Sequence, residues 1–196
     1  MRLPDGVVSV IETDRLVLRP PAPHDLSWIA EQMNTPAVMR NLGGVRSPEQ
    51  VAEGLVGDLE AFSGGGHRRW TVWLRDDTST AGRRIGRCGL FRIKSDAAPA
   101  GLRGQNEIGW TLAEAFWGNG YAAEAARAVL AFGFETLGHP VIFAQTSDSN
   151  RASTRLMERL GLERMPALDY VDPDYPAADN PTTVYRMARK EWTARP

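Results

Sequence analysis

The sequence predicts a single mixed α/β domain with a mostly antiparallel central sheet of about seven strands and about four flanking helices. Three observations predict this class. The chain has 196 residues, a length that suits one compact core. Segments with β-branched residues alternate with segments whose apolar residues have helical spacing. No repeat and no interdomain linker divides the chain, so we expect one domain over residues 1–196, with an N-terminal extension of about residues 1–12.

The first half of the chain is expected to supply a strand, two helices and three consecutive strands. Residues 16–18 form a short strand before a Pro-Pro pair, and a helix follows from about residue 25 to residue 33. Ser47 and Pro48 open a second helix as N-cap and first helical residue. Its apolar stripe packs into the core. The stripe consists of Val51, Leu55, Leu59 and Phe62.

Antiparallel strands are then predicted at residues 70–74, 85–93 and 107–112, with a turn at residues 76–82. Gly86 and Gly89 in the second of these strands indicate a bulge or a close backbone contact. Because side chains alternate across a strand, the polar face of the third strand carries Glu107, Gly109 and Thr111.

The second half alternates helices and strands. A long helix is expected from residue 121 to about 137, and strands at residues 141–145, 162–168 and 183–187. Between the first two strands lies a helix capped by Asn150 and ended by Gly161. Residues 169–181, rich in Pro and Asp, form a loop.

Composition excludes several functional classes. Lys plus Arg number 23 against 24 Asp plus Glu, so the net charge of −1 gives no general attraction for nucleic acid or an anionic membrane. The single cysteine, Cys88, excludes a disulfide framework and a Cys-based zinc cluster. The three histidines are scattered, so no metal site is expected. No apolar run reaches the ~20 residues of a membrane span, and we expect a cytoplasmic protein.

A glycine-rich turn precedes the long helix and carries the clearest chemical signal. Gly118 and Gly120 let the backbone turn tightly and pass close to a ligand. The free N–H groups and the dipole of the helix start bind phosphate oxygens without a basic side chain. A P-loop would need Gly-Lys-Ser/Thr, whereas Tyr121 follows Gly120 here, and a dinucleotide fingerprint would need a third glycine. Taken alone, the pair also fits an ordinary strand–helix turn.

A second segment, residues 150–163, adds specificity. On a helix, Ser153 shares a side with the apolar residues Leu156, Met157 and Leu160. Ser153 is therefore expected in the first turn, on or beside the inward side, where a surface serine is not usually found.

These two segments, in this order, resemble the GCN5-related N-acetyltransferase superfamily, and more closely its ribosomal-protein N-terminal acetyltransferases of the RimJ/RimL type. The resemblance extends from residues 13–19, Thr-Asp-Arg-Leu-Val-Leu-Arg, to residues 185–187. Trp-Gly-Asn-Gly-Tyr-Ala at 117–122 matches the loop for the acetyl-CoA pyrophosphate, and Asn150 with Ser153 matches the second signature.

The resemblance implies acetyl-CoA as co-substrate, no metal, and a central sheet whose strands splay apart to admit the cofactor. Two residue sets follow from it. The strand residues Trp110, Thr111 and Leu112 would pair their backbone with the pantetheine. The loop with its amides would hold the pyrophosphate, and Asn150 would bind the cofactor arm, although a helix N-cap explains Asn150 equally well. The loop comprises Trp117, Gly118, Asn119, Gly120, Tyr121 and Ala122.

Two residues are candidates for the catalysis of direct amine attack on the thioester. Glu107 is the candidate general base, directly or through water, and is otherwise a solvated strand carboxylate. Ser153 is the candidate proton donor to the thiolate, and is otherwise a helix-start serine bonded to the local backbone. Many members carry a tyrosine seven positions after the asparagine. That position here is Met157, which cannot donate a proton.

The sequence leaves the amine acceptor open between a protein N-terminal α-amine and a small-molecule amine. The candidate acceptor loops are residues 34–48 and residues 168–181, the latter with four aspartates that would attract a cation. A non-catalytic acyl-CoA-binding or sensor domain is the alternative class. No nucleic-acid or membrane partner is expected, and the chain is expected to be a monomer or homodimer.

Overall fold

The structure, a computed structural model, describes residues 10–64, 67–75 and 82–194. Eight strands form one sheet: β1 (Ile11–Glu12), β2 (Leu16–Arg19), β3 (Arg69–Leu74), β4 (Arg83–Arg92), β5 (Asn106–Leu112), β6 (Val141–Ser147), β7 (Glu163–Arg164) and β8 (Thr182–Ala188). The predicted turn at residues 76–82 lies outside the described residues, apart from Gly82.

Six α-helices lie among the described residues, two of them prolonged by a wider π-helical turn. They are α1 (Asp25–Trp28, prolonged by Ile29–Met33), α2 (Pro36–Met39), α3 (Pro48–Ser63), α4 (Tyr121–Ala131, prolonged by Phe132–Thr136), α5 (Arg151–Leu160) and α6 (Arg189–Thr193). Ser47 caps α3 with its side chain, as predicted. No helix within the described ranges is long and apolar enough to cross a bilayer.

The strand order across the sheet is β1-β2-β3-β4-β5-β6-β8-β7. Every neighbouring pair is antiparallel except β5 and β6, which run parallel. The pairing of β5 with β6 is confined to Glu107 and Phe143, whereas β5 pairs with β4, and β6 with β8, along their whole lengths. The predicted mixed, mostly antiparallel sheet is confirmed, with eight strands instead of about seven, and it separates into two halves beyond Glu107.

The two faces of the sheet are packed differently. On one face α4 covers strands β2, β4 and β5, and its Ala125, Val129 and Leu130 are buried against Trp70 and Leu18. Alternation along β3 turns Thr71 to the opposite face, where α1 and α3 pack. These helices bury a second apolar cluster of their own. That cluster consists of Ile29, Met33, Val38, Val51, Leu55 and Ala113.

Gly86 and Gly89 meet the expectation of a bulge and a close backbone contact. The β3–β4 register shifts between Val72 and Trp73, which pair with Gly86 and Arg84. A Cβ at Gly89 would lie 1.9 Å from the carbonyl oxygen of Arg68, and neither backbone can yield without breaking the sheet. Any side chain at residue 89 would therefore force β3 and β4 apart.

The structure differs from the predicted elements at several places, including a short helix, α2, inside the predicted loop at residues 34–48. Ile11–Glu12, assigned to the N-terminal extension, pairs with β2 and forms β1. The strand predicted at residues 162–168 is wrong beyond Arg164, because Pro166 cannot donate a ladder hydrogen bond and opens a 3-10 turn instead. The chain also forms α6, a short helix that the sequence did not predict, which begins where the Glu191 side chain accepts from the Ala188 N–H.

A buried ionic cluster joins α3 to the sheet. Asp58 is fully buried, and its carboxylate contacts Arg87 as well as the Nε atoms of Arg68 and Arg69, both at 3.2 Å. Burial lowers the pKa of the Arg87 guanidinium to about 10, and Asp58 opposes this shift by favouring the charged form. Removing the Asp58 charge would leave the buried Arg87 guanidinium without its hydrogen-bonded anion, with Asp25 as its other nearby carboxylate.

We therefore predict that Asp58→Asn, which keeps the side-chain shape, lowers the free energy of unfolding by about 3–5 kcal/mol. The matched control is Glu12→Gln, which removes the anion of the exposed Glu12–Arg75 ion pair and should cost less than about 1 kcal/mol. Urea denaturation of both variants measures the difference. Equal losses in the two variants would show that the buried cluster contributes no more than a surface pair.

Candidate active site

The site is built around the opening between β5 and β6. Both strands continue past the single paired position, Glu107 with Phe143, so the facing backbone edges beyond it have no strand partner. Five residues of extended chain separate Glu107 from Leu112, a span of about 17 Å. Trp110 and Thr111 are partly buried along this edge and Leu112 is buried. An extended ligand can pair with such an edge as an additional strand does.

The glycine-rich turn lies at the open end of this gap. Gly118 and Gly120 have φ of +77° and +79°, a left-handed backbone that costs side-chain-bearing residues free energy. Asn119 holds the turn from inside, because its Nδ2 donates to the carbonyl oxygens of Phe116 and Trp117 at 3.3 and 2.9 Å. The indole Nε1 of Trp117 donates to the Leu112 carbonyl at 2.8 Å and so ties the turn to the end of β5.

This arrangement leaves a row of backbone donors without partners. Among the described residues, no acceptor is present for the N–H groups of residues 118–123, and the first helical bond of the segment runs from Glu124 N–H to the Gly120 carbonyl. The α4 dipole adds partial positive charge at the same place. The turn therefore has a geometry and an electrostatic field that can bind an anion.

An open groove of about 680 Å³ runs from this turn along α5. It is lined by Gly118 and by four α5 residues, Ala152, Arg155, Glu158 and Arg159. Arg155 and Arg159 are one helical turn apart, so both guanidinium groups line the same side of the groove. Residues of both sequence segments thus line one groove.

The start of α5 shows what Asn150 and Ser153 do locally. The Asn150 side chain accepts from the Ser153 N–H at 3.2 Å, which confirms the predicted N-cap, and its Nδ2 donates to Thr146 Oγ1 at 3.0 Å. Ser153 is partly buried in the first turn of α5, and both its proposed role as proton donor and the alternative of a serine bonded to its local backbone stay predictions. Met157 is buried in the core.

Glu107 sits where β5 and β6 part, and its environment is unusual for a carboxyl group. Burial raises the pKa of Glu107 to about 7, and a hydrogen bond with the Gln145 side chain acts in the opposite direction. Gln145 in turn accepts from the Tyr170 hydroxyl at 2.9 Å. A carboxyl group that titrates near neutral pH can accept and release a proton under physiological conditions.

The two loops proposed to meet the acceptor contact each other near this point. Asn41 Nδ2 donates to Ser149 Oγ at 3.0 Å and to Asp179 Oδ1 at 3.2 Å. A Cβ at Gly43 would lie 3.7 Å from the Tyr175 ring. The pKa of Tyr175 is raised by its burial and, to a smaller extent, by the carboxylates around it, including Glu107. The loops therefore form one wall beside the gap.

Three residues of this site were not singled out in the sequence. Gln145 is the one amide in the otherwise apolar segment at residues 141–145, which is the signal that could have found it. Tyr170 was noted only as part of the acidic loop. Arg15 was recognised only within the opening motif, although its side chain reaches the glycine-rich turn. No group of three or more His, Cys, Asp and Glu residues in the described ranges is placed to share a metal ion.

Fold and site together define an acyl-transferring enzyme with an anion-binding turn beside a split sheet. Residues 15–163 match the Acetyltransferase (GNAT) domain family, and the chain belongs to this family. A relative of Bacillus subtilis (strain 168), the uncharacterised protein YkkB, is 32% identical over 153 residues, which cover 76% of this chain and 83% of YkkB.

Solved structures agree with this assignment. The acetyltransferase from Agrobacterium tumefaciens superimposes with a TM-score of 0.75 at 29% identity, covering 95% of this chain and 98% of that chain. The aminoglycoside acetyltransferase AAC(6')-Ib, solved in complex with coenzyme A, superimposes with a TM-score of 0.69 over 91% of this chain and 97% of that chain. At 20% identity the second likeness shows the fold alone.

We predict that Gly120→Ala weakens the anion site without unfolding the protein. An alanine at φ of +79° costs about 1–2 kcal/mol, and its Cβ would lie 3.5 Å from Arg15 Nη2. We expect the dissociation constant for coenzyme A, measured by calorimetry, to rise about five- to thirtyfold. Gly101→Ala is the control, because Gly101 lacks positive φ and a Cβ there meets nothing within 4 Å. Equal affinities in the two variants would contradict the prediction.

Proposed function

We propose that this protein transfers the acetyl group of acetyl-CoA to a primary amine by direct attack on the thioester. One observation carries the proposal. The row of unpartnered N–H groups at residues 118–123 opens onto the gap between β5 and β6, and the near-neutral carboxyl of Glu107 stands where that gap begins. A candidate anion site, an open strand edge and a candidate base would thus lie in succession from the glycine-rich turn along β5 to Glu107.

The residues present are suited to the pyrophosphate, the pantetheine and the remaining phosphate of acetyl-CoA in turn. The N–H groups of the glycine-rich turn would bind the pyrophosphate, and the unpaired edge of Trp110, Thr111 and Leu112 would pair with the amides of the pantetheine. Arg155 and Arg159 supply positive charge on the groove wall, where the remaining phosphate of the cofactor would be attracted. Asn150 would contribute next to the pantetheine, in addition to its capping role.

The proposed chemistry follows from two proton transfers: the attacking amine must lose a proton, and the departing thiolate gains one. Only a neutral amine attacks, so Glu107 would take the proton that the amine loses, directly or through water. Acetyl-CoA supplies an acetyl group on an activated thioester. As the carbon–sulfur bond breaks, the Ser153 hydroxyl would donate a proton to the thiolate, whose thiol has a reference pKa near ~8.5.

The pKa of Glu107 favours α-amines over lysine side chains as acceptors. Proton transfer from an α-amine, with a reference pKa of ~7.7–8.0, to a carboxylate with a pKa of about 7 is uphill by roughly 1 kcal/mol. The same transfer from a lysine, with a reference pKa of ~10.4, is uphill by roughly 5 kcal/mol. This preference agrees with the resemblance to RimJ/RimL enzymes, and a small molecule with an amine of low pKa would satisfy it equally.

An acetyl-CoA thiol-release assay against a mixed acceptor panel tests the proposal. The panel holds short peptides with free or acetylated N-termini, amino acids, polyamines and aminoglycosides. We expect thiol release with α-amine acceptors and none when the same amine is blocked. Calorimetric binding of acetyl-CoA with no turnover on any acceptor would favour the non-catalytic sensor domain, and the absence of binding would reject the cofactor itself.

Glu107→Gln separates the base from a structural carboxyl group. We expect kcat to fall about 10²–10⁴-fold and the midpoint of the acidic limb of the rate profile to move from near pH 7 toward the pKa of the acceptor amine, which must still lose its proton before it attacks. Because the pKa is raised on folding, the native state loses stability as pH rises from about 4.5 to about 7. The glutamine variant lacks this loss, so thermal unfolding should occur at higher temperature than for the unaltered protein at pH 8.

Ser153→Ala provides the contrasting variant in the same assay. Loss of the proton donor should lower kcat more than it raises KM for acetyl-CoA, and the acidic limb should remain. An unchanged kcat would remove Ser153 from the reaction. An acidic limb whose midpoint stays near pH 7 in Glu107→Gln would assign the base to another group.

A further inference from the structure

Arg15 connects the turn between β1 and β2 to the first turn of α4. Both oxygens of Glu124 are occupied by this turn: Oε1 accepts from Thr13 Oγ1 at 2.6 Å and from the Arg15 N–H at 3.0 Å, and Oε2 accepts from Arg15 Nε at 2.7 Å and Nη2 at 2.6 Å. Two guanidinium nitrogens thus share one carboxylate oxygen, while the other carboxylate oxygen binds the β1–β2 turn itself, so the position of the guanidinium is fixed at both ends.

The remaining side of the guanidinium reaches the glycine-rich turn. Arg15 Nη1 donates to the carbonyl oxygen of Asn119 at 3.1 Å, and the group lies 4.7 Å from the centre of the Tyr121 ring. A peptide unit is planar and trans, so its C=O and N–H point in opposite directions. When Arg15 holds the Asn119 carbonyl on its own side, the N–H of Gly120 must point the other way.

The fixed orientation of this peptide matters because the glycines of the turn do not themselves restrict it. Glycine adopts positive and negative φ with similar ease, so the peptide between Asn119 and Gly120 is free to rotate unless something holds it. A rotated peptide would replace a donor by a carbonyl oxygen in the row of N–H groups at residues 118–123. A carbonyl dipole turned toward a phosphate repels it, which would weaken the anion site.

We propose that Arg15, held by Glu124, is a positioning residue that orients the peptide between Asn119 and Gly120 and thereby presents the Gly120 N–H to the cofactor pyrophosphate. This rests on the proposed use of acetyl-CoA. Arg15 acts through the backbone of the turn, and its own charge is already neutralised by the Glu124 carboxylate.

The test compares two ligands that differ in phosphate. Calorimetry gives the dissociation constants of CoA, which carries the pyrophosphate, and of pantetheine, which does not, for the full chain and for Arg15→Ala. We expect Arg15→Ala to weaken CoA about tenfold and to leave pantetheine unchanged. In turnover, KM for acetyl-CoA should rise about tenfold while kcat stays within about twofold. Loss of pantetheine affinity as well would indicate general damage and overturn the proposal.

Two further variants complete the test. Arg19→Ala is the matched control: Arg19 lies at the end of β2, its guanidinium stacks on Trp73 at 5.2 Å, and CoA affinity should not change. Arg15→Lys keeps the charge but cannot grip Glu124 and the Asn119 carbonyl together, so we expect it to bind CoA as weakly as Arg15→Ala. Restored affinity in Arg15→Lys would assign the effect to charge and overturn the proposal.

The comparison also separates this proposal from the proposed function. If the unaltered protein binds CoA no better than pantetheine, the phosphate site itself is wrong. If it prefers CoA and Arg15→Ala keeps that preference, only the role of Arg15 is wrong.

Discussion

The single parallel pairing between Glu107 and Phe143 is the constraint on which the rest of the site depends. Strand β5 is held along its length by β4, and β6 by β8, so each belongs to a separate half of the sheet. Beyond the paired position the two halves diverge, and backbone groups along the facing edges have no strand partner. Such groups in a protein interior need water or a ligand, which makes the gap a place to bind an extended molecule.

The two ends of the gap have opposite electrostatic character, and each follows from local structure. At the open end, left-handed glycines and a helix N-terminus gather unpartnered N–H groups, so negative charge is stabilised there. At the closed end, burial of Glu107 disfavours its ionised form, so the carboxyl group is ready to take up a proton near neutral pH. One strand, β5, carries both properties, because the turn follows its last residue and Glu107 lies near its first.

The features that depend on residue type and short spacing could be predicted from the sequence. The glycine-rich turn, the N-caps at Ser47 and Asn150 and the polar face of β5 all follow from residue type and short spacing. The family resemblance supplied the splayed sheet, which periodicity does not reveal. Contacts between distant segments could not be predicted: Tyr170 reaches Gln145 across 25 residues, and Arg15 reaches Asn119 across 104. Nothing in either local sequence specifies its partner.

The secondary structure of strand β1 and of the segment after Arg164 also depends on contacts with distant residues, which local sequence does not specify. Two residues are too few for a periodic signal, and β1 exists because β2 offers an edge for Ile11 and Glu12. The segment at residues 162–168 contains no β-branched or aromatic residue and carries a proline at position 166. The chain turns there so that Asp169 can pair with Arg164 and accept from the Val184 N–H at 3.1 Å. Tertiary contacts decide both outcomes.

The turn between β6 and α5 joins the groove along α5 to the two candidate acceptor loops. Ser147 and Ser149 contact each other through their hydroxyls at 2.7 Å, and Asn150 directly after them caps α5, whose next turns line the groove. Ser149 also accepts from Asn41, which donates in addition to Asp179 in the acidic loop. Three segments distant in sequence therefore meet at four consecutive residues. A displacement of either candidate acceptor loop would therefore act on the start of α5, where Ser153 lies, through the hydrogen bonds of Asn41 with Ser149 and Asp179.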